Sequence, residues 1–372
     1  MTRKLLPLLL LALSAPAFGS YAYKATVTVP YAQVSGSANL PNFTVCGYIT
    51  DTSLKPVGSG GQIQHSITRN GAVVPTDFIF TTDTSGLVLD SWEVYGWDQS
   101  AGTVWYCALV TSLSYTAPNP LYVFYGNAAI STWQGGTQGS AWDANTAYVF
   151  HLYNGSLYDY GPNANNGGTA YNSPTTVAGP LGGGLTFNGA TQYVSIPTSA
   201  SINITGNLTV SALTWLTGVD YYGGIVSNNA ASAGYALGHW SAVAQTFCTM
   251  NSTYVQSSTT SQSIWLYASF TYASSLISCY INGASPTTTA ASASTSNSNP
   301  LILGLNGTSY LYGNIAEVRG VSTNRSAGWL ATEANDVTAP ATFAVVSALG
   351  TCSGTCGGGS APATVTMTPI IM

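Results

Sequence analysis

The sequence predicts an all-β protein of two antiparallel units in series, closed by one short C-terminal helix. Runs of alternating apolar and polar residues recur along the whole chain, each bounded by Gly, Pro, Asn or Asp, the pattern of half-buried strands joined by turns. Twenty-four tyrosines, forty glycines and long Ser/Thr stretches suit pleated surfaces and tight turns better than helices. A chain of 372 residues, 45% hydrophobic, holds enough apolar material for two medium cores.

Residues 1–20 read as a signal peptide and stand outside the fold. Arg3 and Lys4 precede a short apolar run, and Ala15-Pro16-Ala17 supplies small residues for cleavage. Later segments lack the roughly eighteen unbroken apolar residues of a membrane helix. The expectation is an exported protein, secreted or held at the cell surface, with no transmembrane segment after cleavage.

Residues 21–133 form the first unit, an N-terminal β-sandwich. Seven strand-like runs follow one another at 23–30, 43–50, 62–68, 77–81, 87–95, 103–110 and 121–125, with turn residues between them. The succession YAYKATVTV, NLPNFTV, DFIFTTDTSG, SWEVYGWDQSAGTVWYCALV and LYVFYGNAA resembles the bacterial domain of unknown function 2341. That resemblance implies exported architecture and a lectin-like neighbour, and it brings no active site. Residues 134–141 are a Gly-rich linker between Trp133 and Trp142. A linker this short reaches roughly 15 to 20 Å, which predicts two docked units with a tryptophan at the junction.

The second unit covers 142–349. Its strings HLYNGSLYDYGPNANNGG, GGGLTFNGATQYVSIP, NLTVSALTWLTG, IWLYASFTYASSLISCYINGAS, LILGLNG and YLYGNIAEVRGVSTNRSAGWLATEAND resemble a laminin-G-like, concanavalin A-like lectin jelly roll. Ile315-Ala316-Glu317-Val318 stands where that family usually has Ile-Asp-Glu-Val. Residues 284–300 read as a solvated Ser/Thr/Ala loop. Ser326 as cap, with Trp329, Leu330 and Glu333 at near-helical spacing, predicts the short helix. Residues 350–372 are a Cys/Gly-rich tail ending in VTMTPIIM, a run with strand character.

Six cysteines fall into three regional pairs, Cys46 with Cys107, Cys248 with Cys279, and Cys352 with Cys356, which suits disulfides in an exported chain. His65, His151 and His239 share no zinc-ligand spacing with them. Seven Lys plus Arg and a net charge of −5 leave no basic patch for a phosphate backbone, so nucleic acid is excluded as partner.

Catalysis finds no support. A retaining glycosidase needs two carboxylates about 5 Å apart on one cleft face, and the twelve acids look scattered. Glu93 and Asp98, five apart, point to opposite faces of an uninterrupted strand. By the resemblance, His151 is a packed structural histidine.

Two small sites remain. Tyr221 and Tyr222, with His239 and Trp240 on the next hairpin segment, offer aromatic faces on which a sugar can stack, or else they cover the core edge. Asp159, Asn163 and Asn165 form an oxygen-rich turn that can hold a structural calcium, or else an Asx turn closed by its own hydrogen bonds. No cofactor is required.

The reading is a non-catalytic binding module whose partner is a glycan or another cell-surface component, adhesin-like in character. The alternative is a self-associating extracellular or appendage subunit, with a glycoside hydrolase a distant third.

Overall fold

The computed structural model describes residues 20–217, 223–229, 233–240, 245–259, 262–352 and 356; residues 1–19 of the expected signal peptide, Tyr221, Tyr222 and the VTMTPIIM run lie outside the described residues. The chain is nearly all β, with α1 (Ala327–Thr338) and the four-residue α2 (Pro340–Phe343) as its α-helices among the described residues. None of the described helices is long and apolar enough to cross a membrane.

Four main sheets carry the fold. In the first, Tyr23–Val29 pairs with Asn119–Tyr125, which pairs with Phe78–Thr81. In the second, Thr103–Leu113 lies between Leu40–Thr50 and Trp92–Asp98. The third centres on Tyr312–Val321, flanked by Gly184–Asn188, Leu208–Leu216 and Thr146–Phe150, and continues through Trp265–Ala273 and Leu276–Ile281 to Thr287–Ala290. The fourth runs from Thr169–Tyr171 through Tyr193–Ile196, Leu301–Leu303, Gly223–Ser227, Tyr235–Trp240 and Gln245–Met250 to Thr253–Thr259. Thr287–Ala290 is a strand inside the stretch expected to be plain loop; three threonines favour extended backbone.

Side chains alternate across each strand, and the second sheet uses both faces. Phe80 of the first sheet packs on Tyr106 at 4.6 Å and on Trp92 at 6.4 Å between ring centroids. The alternate residues Glu93, Tyr95 and Trp105 turn the other way, toward the second unit. The third sheet is likewise covered twice. Ile315 and Val318 belong to the jelly-roll core with Phe270 and Leu303, while Leu213, Tyr267 and Ala316 join the core of the first unit. The two units are therefore docked through a shared apolar layer.

The C-terminal region closes the dock. Ser326 caps α1 by accepting from Trp329 N at 3.2 Å. The helix wedges between Leu40–Thr50 and Trp265–Ala273, with Trp329 against Phe43 at 5.0 Å. Beyond it, Val345–Val346 and Gly350–Thr351 both pair with Tyr23–Val29, and Tyr21 N donates to Cys356 O at 3.1 Å. Val345–Val346 and Gly350–Thr351, assigned from the sequence one to the second unit and the other to a tail, thus complete the first unit's sheet. Disulfides join Cys46 to Cys107, Cys248 to Cys279 and Cys352 to Cys356.

Candidate site at the junction of the two units

Acids that look scattered in the sequence meet in one buried seam. His151, just past Thr146–Phe150, has Nε2 at 2.9 Å from Glu93 Oε1 of the first unit and Nδ1 at 2.8 Å from Glu317 Oε2 of the second. Glu317 Oε1 accepts from Arg319 Nε at 2.9 Å, and Arg319 also faces Glu333 at 3.4 Å and Asp336 at 3.9 Å, both on α1. Trp142 Nε1 donates to Glu93 at 2.9 Å, and Asp336 accepts from Cys46 N at 3.0 Å. Arg325 pairs with Asp143 beside the seam and lies 3.9 Å from the Trp329 ring centroid.

A β-bulge makes this possible. Between Ile315 and Glu317 the register against Leu213 and Thr214 slips by one residue. A bulge re-aims the side chains that follow it. Ile315 points into the jelly-roll core, whereas Glu317 and Arg319 emerge at the junction.

The seam sets its own protonation. Burial alone would lower the His151 pKa, but the Glu317 and Glu93 carboxylates more than reverse this and hold it at about 9. Only an imidazolium donates from both ring nitrogens. Burial raises Glu93 and Asp336. Glu317, opposed by burial, is nonetheless lowered by His151 and Arg319. Side-chain exposures of 1% for His151 and 2% for Glu317 place the seam inside the junction, where it joins the two units. Glu93, Cys107 and His151 lie close enough to hold a metal ion, but the Cys107 sulfur is bonded to Cys46 and cannot serve as a thiolate.

An open groove lies beside the seam. One cavity of about 550 Å³ is lined by Trp97, Trp105, Asp98 and Tyr153. A second of about 420 Å³ shares Trp97, Gln99, Tyr153 and Asn154 with it and adds Ser156. Both fall in the size range of small-ligand sites. Trp105 and Tyr153 stand 4.9 Å apart at 45°, and Trp97 Nε1 is anchored on Leu54 O at 2.9 Å. Each unit gives up a side chain to admit the other's ring. A Cβ on Gly96 would stand 2.7 Å from the Tyr153 ring, and one on Gly182 would stand 2.6 Å from Trp105 Nε1. Below the groove, Tyr95 stacks on His151 at 3.9 Å. Leu152 and Asn154 hold φ of 52° and 50° in the turn that presents Tyr153, a conformation rare outside glycine and frequent at ligand sites.

The sites expected from the sequence lie elsewhere. His239 is fully buried and Trp240 half-buried; as neighbours on the strand Tyr235–Trp240 they point to opposite faces, so the pair forms no shared platform. Tyr221 and Tyr222 lie outside the described residues. Asp159 is buried, its Oδ1 accepting from Val149 N and Gly161 N and its Oδ2 from Asn165 N and Asn165 Nδ2, all at 2.7 to 2.8 Å. Asn163 and Asn165 donate to Ala147 O. The turn is an Asx knot whose carboxylate oxygens accept from N–H donors. Asp98 accepts from Ser100 N and Ala101 N, and Glu93 sits in the seam.

The family described as the concanavalin A-like lectin/glucanases superfamily matches residues 188–331. No curated protein matches the chain. Among solved structures, domain 4 of AbnA, a GH43 extracellular arabinanase from Geobacillus stearothermophilus in complex with arabinotriose, is 15% identical over 51% of this chain and 98% of that one, with a TM-score of 0.43. The botulinum neurotoxin serotype D binding domain is 11% identical over 51% of each chain, and the neurotoxin DC binding domain in complex with SialylT is 10% identical over 53% and 52%, both with TM-scores of 0.43. The match spans about half the length of these neurotoxin chains. The stretch 188–331 thus matches the concanavalin A-like lectin/glucanases superfamily, whereas the first unit lies outside that match and its likeness to domain of unknown function 2341 rests on sequence motifs alone.

Proposed function

We propose that the protein is an exported, non-catalytic carbohydrate-binding module that takes an uncharged glycan in the groove between its two units. The observation that carries this reading is the groove's composition. The half-buried Trp105 and Tyr153, beside the buried Trp97, offer aromatic surface for the C–H face of a sugar ring, while Gln99, Asn154 and Ser156 supply neutral donors and acceptors for its hydroxyls. Tyr and Trp lose little conformational entropy on contact, and the Trp105 and Tyr153 rings are already packed against the opposite unit.

Two features support binding without hydrolysis. Asp98 is the one carboxylate lining either cavity, so a pair of acids flanking a glycosidic bond is missing there. Glu93 and Glu317 are committed to His151 and Arg319. Three disulfides support export to an oxidising compartment.

A glycan array probed with the mature chain tests the proposal, with size-exclusion mass recorded on the same sample. Selective retention on neutral glycans by a single-chain species is the expected result. A blank array from a folded sample whose mass is a multiple of the chain would reject it in favour of self-assembly.

A further inference from the structure

We infer that the second unit carries a separate neutral-carbohydrate site built on Tyr171, Tyr193 and Tyr310. The inference rests on the reading that the protein binds carbohydrate but assigns a different surface, on the fourth sheet. Tyr193 alternates with Val194, which belongs to the jelly-roll core, so its ring lies on the outer face. Tyr171 stands directly opposite in register, with the two rings 4.4 Å apart and 5° from parallel. Tyr310 meets Tyr193 at 6.3 Å and 54°, turning the pair into an angled floor.

A cross-strand aromatic pair on its own stabilises an edge strand, and that accounts for Tyr171 with Tyr193. It does not account for Tyr310. That ring comes from a separate two-stranded hairpin, Leu305–Asn306 with Ser309–Tyr310. The rim beside the rings is polar and tied down. Gln192 Nε2 donates to Asn172 O at 3.0 Å and to Ser173 O at 2.9 Å, and Asn172 Nδ2 donates to Thr191 O at 2.8 Å. Asn172 and Ser173 hold φ of 55° and 52°. A turn fixed in this conformation beside exposed rings is a preorganised recognition surface, and Tyr171 remains 41% exposed.

Charge fixes the class of occupant. Between Asp159 and Glu317 the sequence has one formally charged residue, Asp220. A phosphate, sulfate or carboxylate ligand would find no cation there to pair with it, and a basic peptide almost no anion. An uncharged polyhydroxylated chain, stacked on the tyrosines and hydrogen-bonded to the amides and hydroxyls of the rim, matches what the surface offers.

The test is titration calorimetry of the mature protein with the neutral oligosaccharide retained on the array, read as stoichiometry. Two sites are expected in the wild type and one in Trp105→Ala. One site is also expected in Tyr171→Leu and in Tyr310→Ala, and none in Trp105→Ala combined with Tyr171→Leu. Tyr171→Leu keeps an apolar side chain on the edge strand, and an unchanged melting temperature certifies its fold; Tyr310→Ala acts on the hairpin and serves as the second variant. A single site abolished by Trp105→Ala and untouched by either tyrosine change would overturn the inference while leaving the groove reading intact. Full binding in Trp105→Ala that disappears in the tyrosine variants would reject the groove and keep the tyrosine site.

Discussion

Replacing Arg319 by Met is expected to loosen the dock between the units. The guanidinium faces three carboxylates, Glu317 at 2.9 Å, Glu333 at 3.4 Å and Asp336 at 3.9 Å, and stacks 4.9 Å from the Trp142 ring centroid. Met recovers much of the apolar stem contact, so the loss is chiefly electrostatic. It strands three buried acids with His151 as the remaining cation of the seam. Breaking a buried ion pair from one side costs about 3 to 5 kcal/mol, against a total stability of about 5 to 15 kcal/mol for a folded domain. Urea unfolding followed by tryptophan fluorescence should show one cooperative transition for the wild type and a large fall in midpoint for the variant. A loss below about 1 kcal/mol, the scale of an exposed pair, would refute the claim that the seam holds the units together.

Three further outcomes follow from the same geometry. His151 is held at about 9 against an ordinary 6.5, so its contribution is fully present below pH 6.5 and is lost as pH rises through 9; about 3 kcal/mol should disappear across that window, and His151→Gln should flatten the profile. Glu93 and Asp336, raised by burial, act in the same sense, because the folded state holds their protons longer. Asp159→Ala should lower the melting temperature, by removing an acceptor for four N–H donors, whereas a chelator should leave the wild-type value unchanged. Peptide mapping of the non-reduced protein should recover Cys46 with Cys107, Cys248 with Cys279 and Cys352 with Cys356; a link from Cys46 to Cys248 would contradict the structure.

What the sequence revealed depended on whether the deciding contact was local. Alternation along residues 23–30, 43–50 and 103–110 locates Tyr23–Val29, Leu40–Thr50 and Thr103–Leu113 to within a few residues, because the period-two pattern is written into each segment. Ser326 with Trp329 and Leu330 announces α1 for the same reason. The seam was hidden because its members are far apart in the chain: Glu93 and His151 are 58 residues apart, His151 and Glu317 a further 166. Strand parity would not have placed Glu317 either. Counted along an unbroken strand it shares a face with Ile315, and the bulge reverses that. The groove was missed because Trp105 and Tyr153 become neighbours only through glycines of the opposite units, Gly182 and Gly96. The aromatic platform was sought at His239 and Trp240, where strand alternation itself separates the two side chains.

The most direct test of the central claim, that the junction groove recognises carbohydrate, is a tryptophan-fluorescence titration of the mature protein with a neutral oligosaccharide from the array. Wild type should give a saturable change. The component assigned to the groove should weaken about tenfold or more in Trp105→Ala, equivalent to about 1.4 kcal/mol. Trp215→Ala serves as control, since Trp215 packs on Trp265 in the third sheet at 5.9 Å, and it should keep the wild-type affinity. Equal affinities in the wild type and Trp105→Ala would contradict the account.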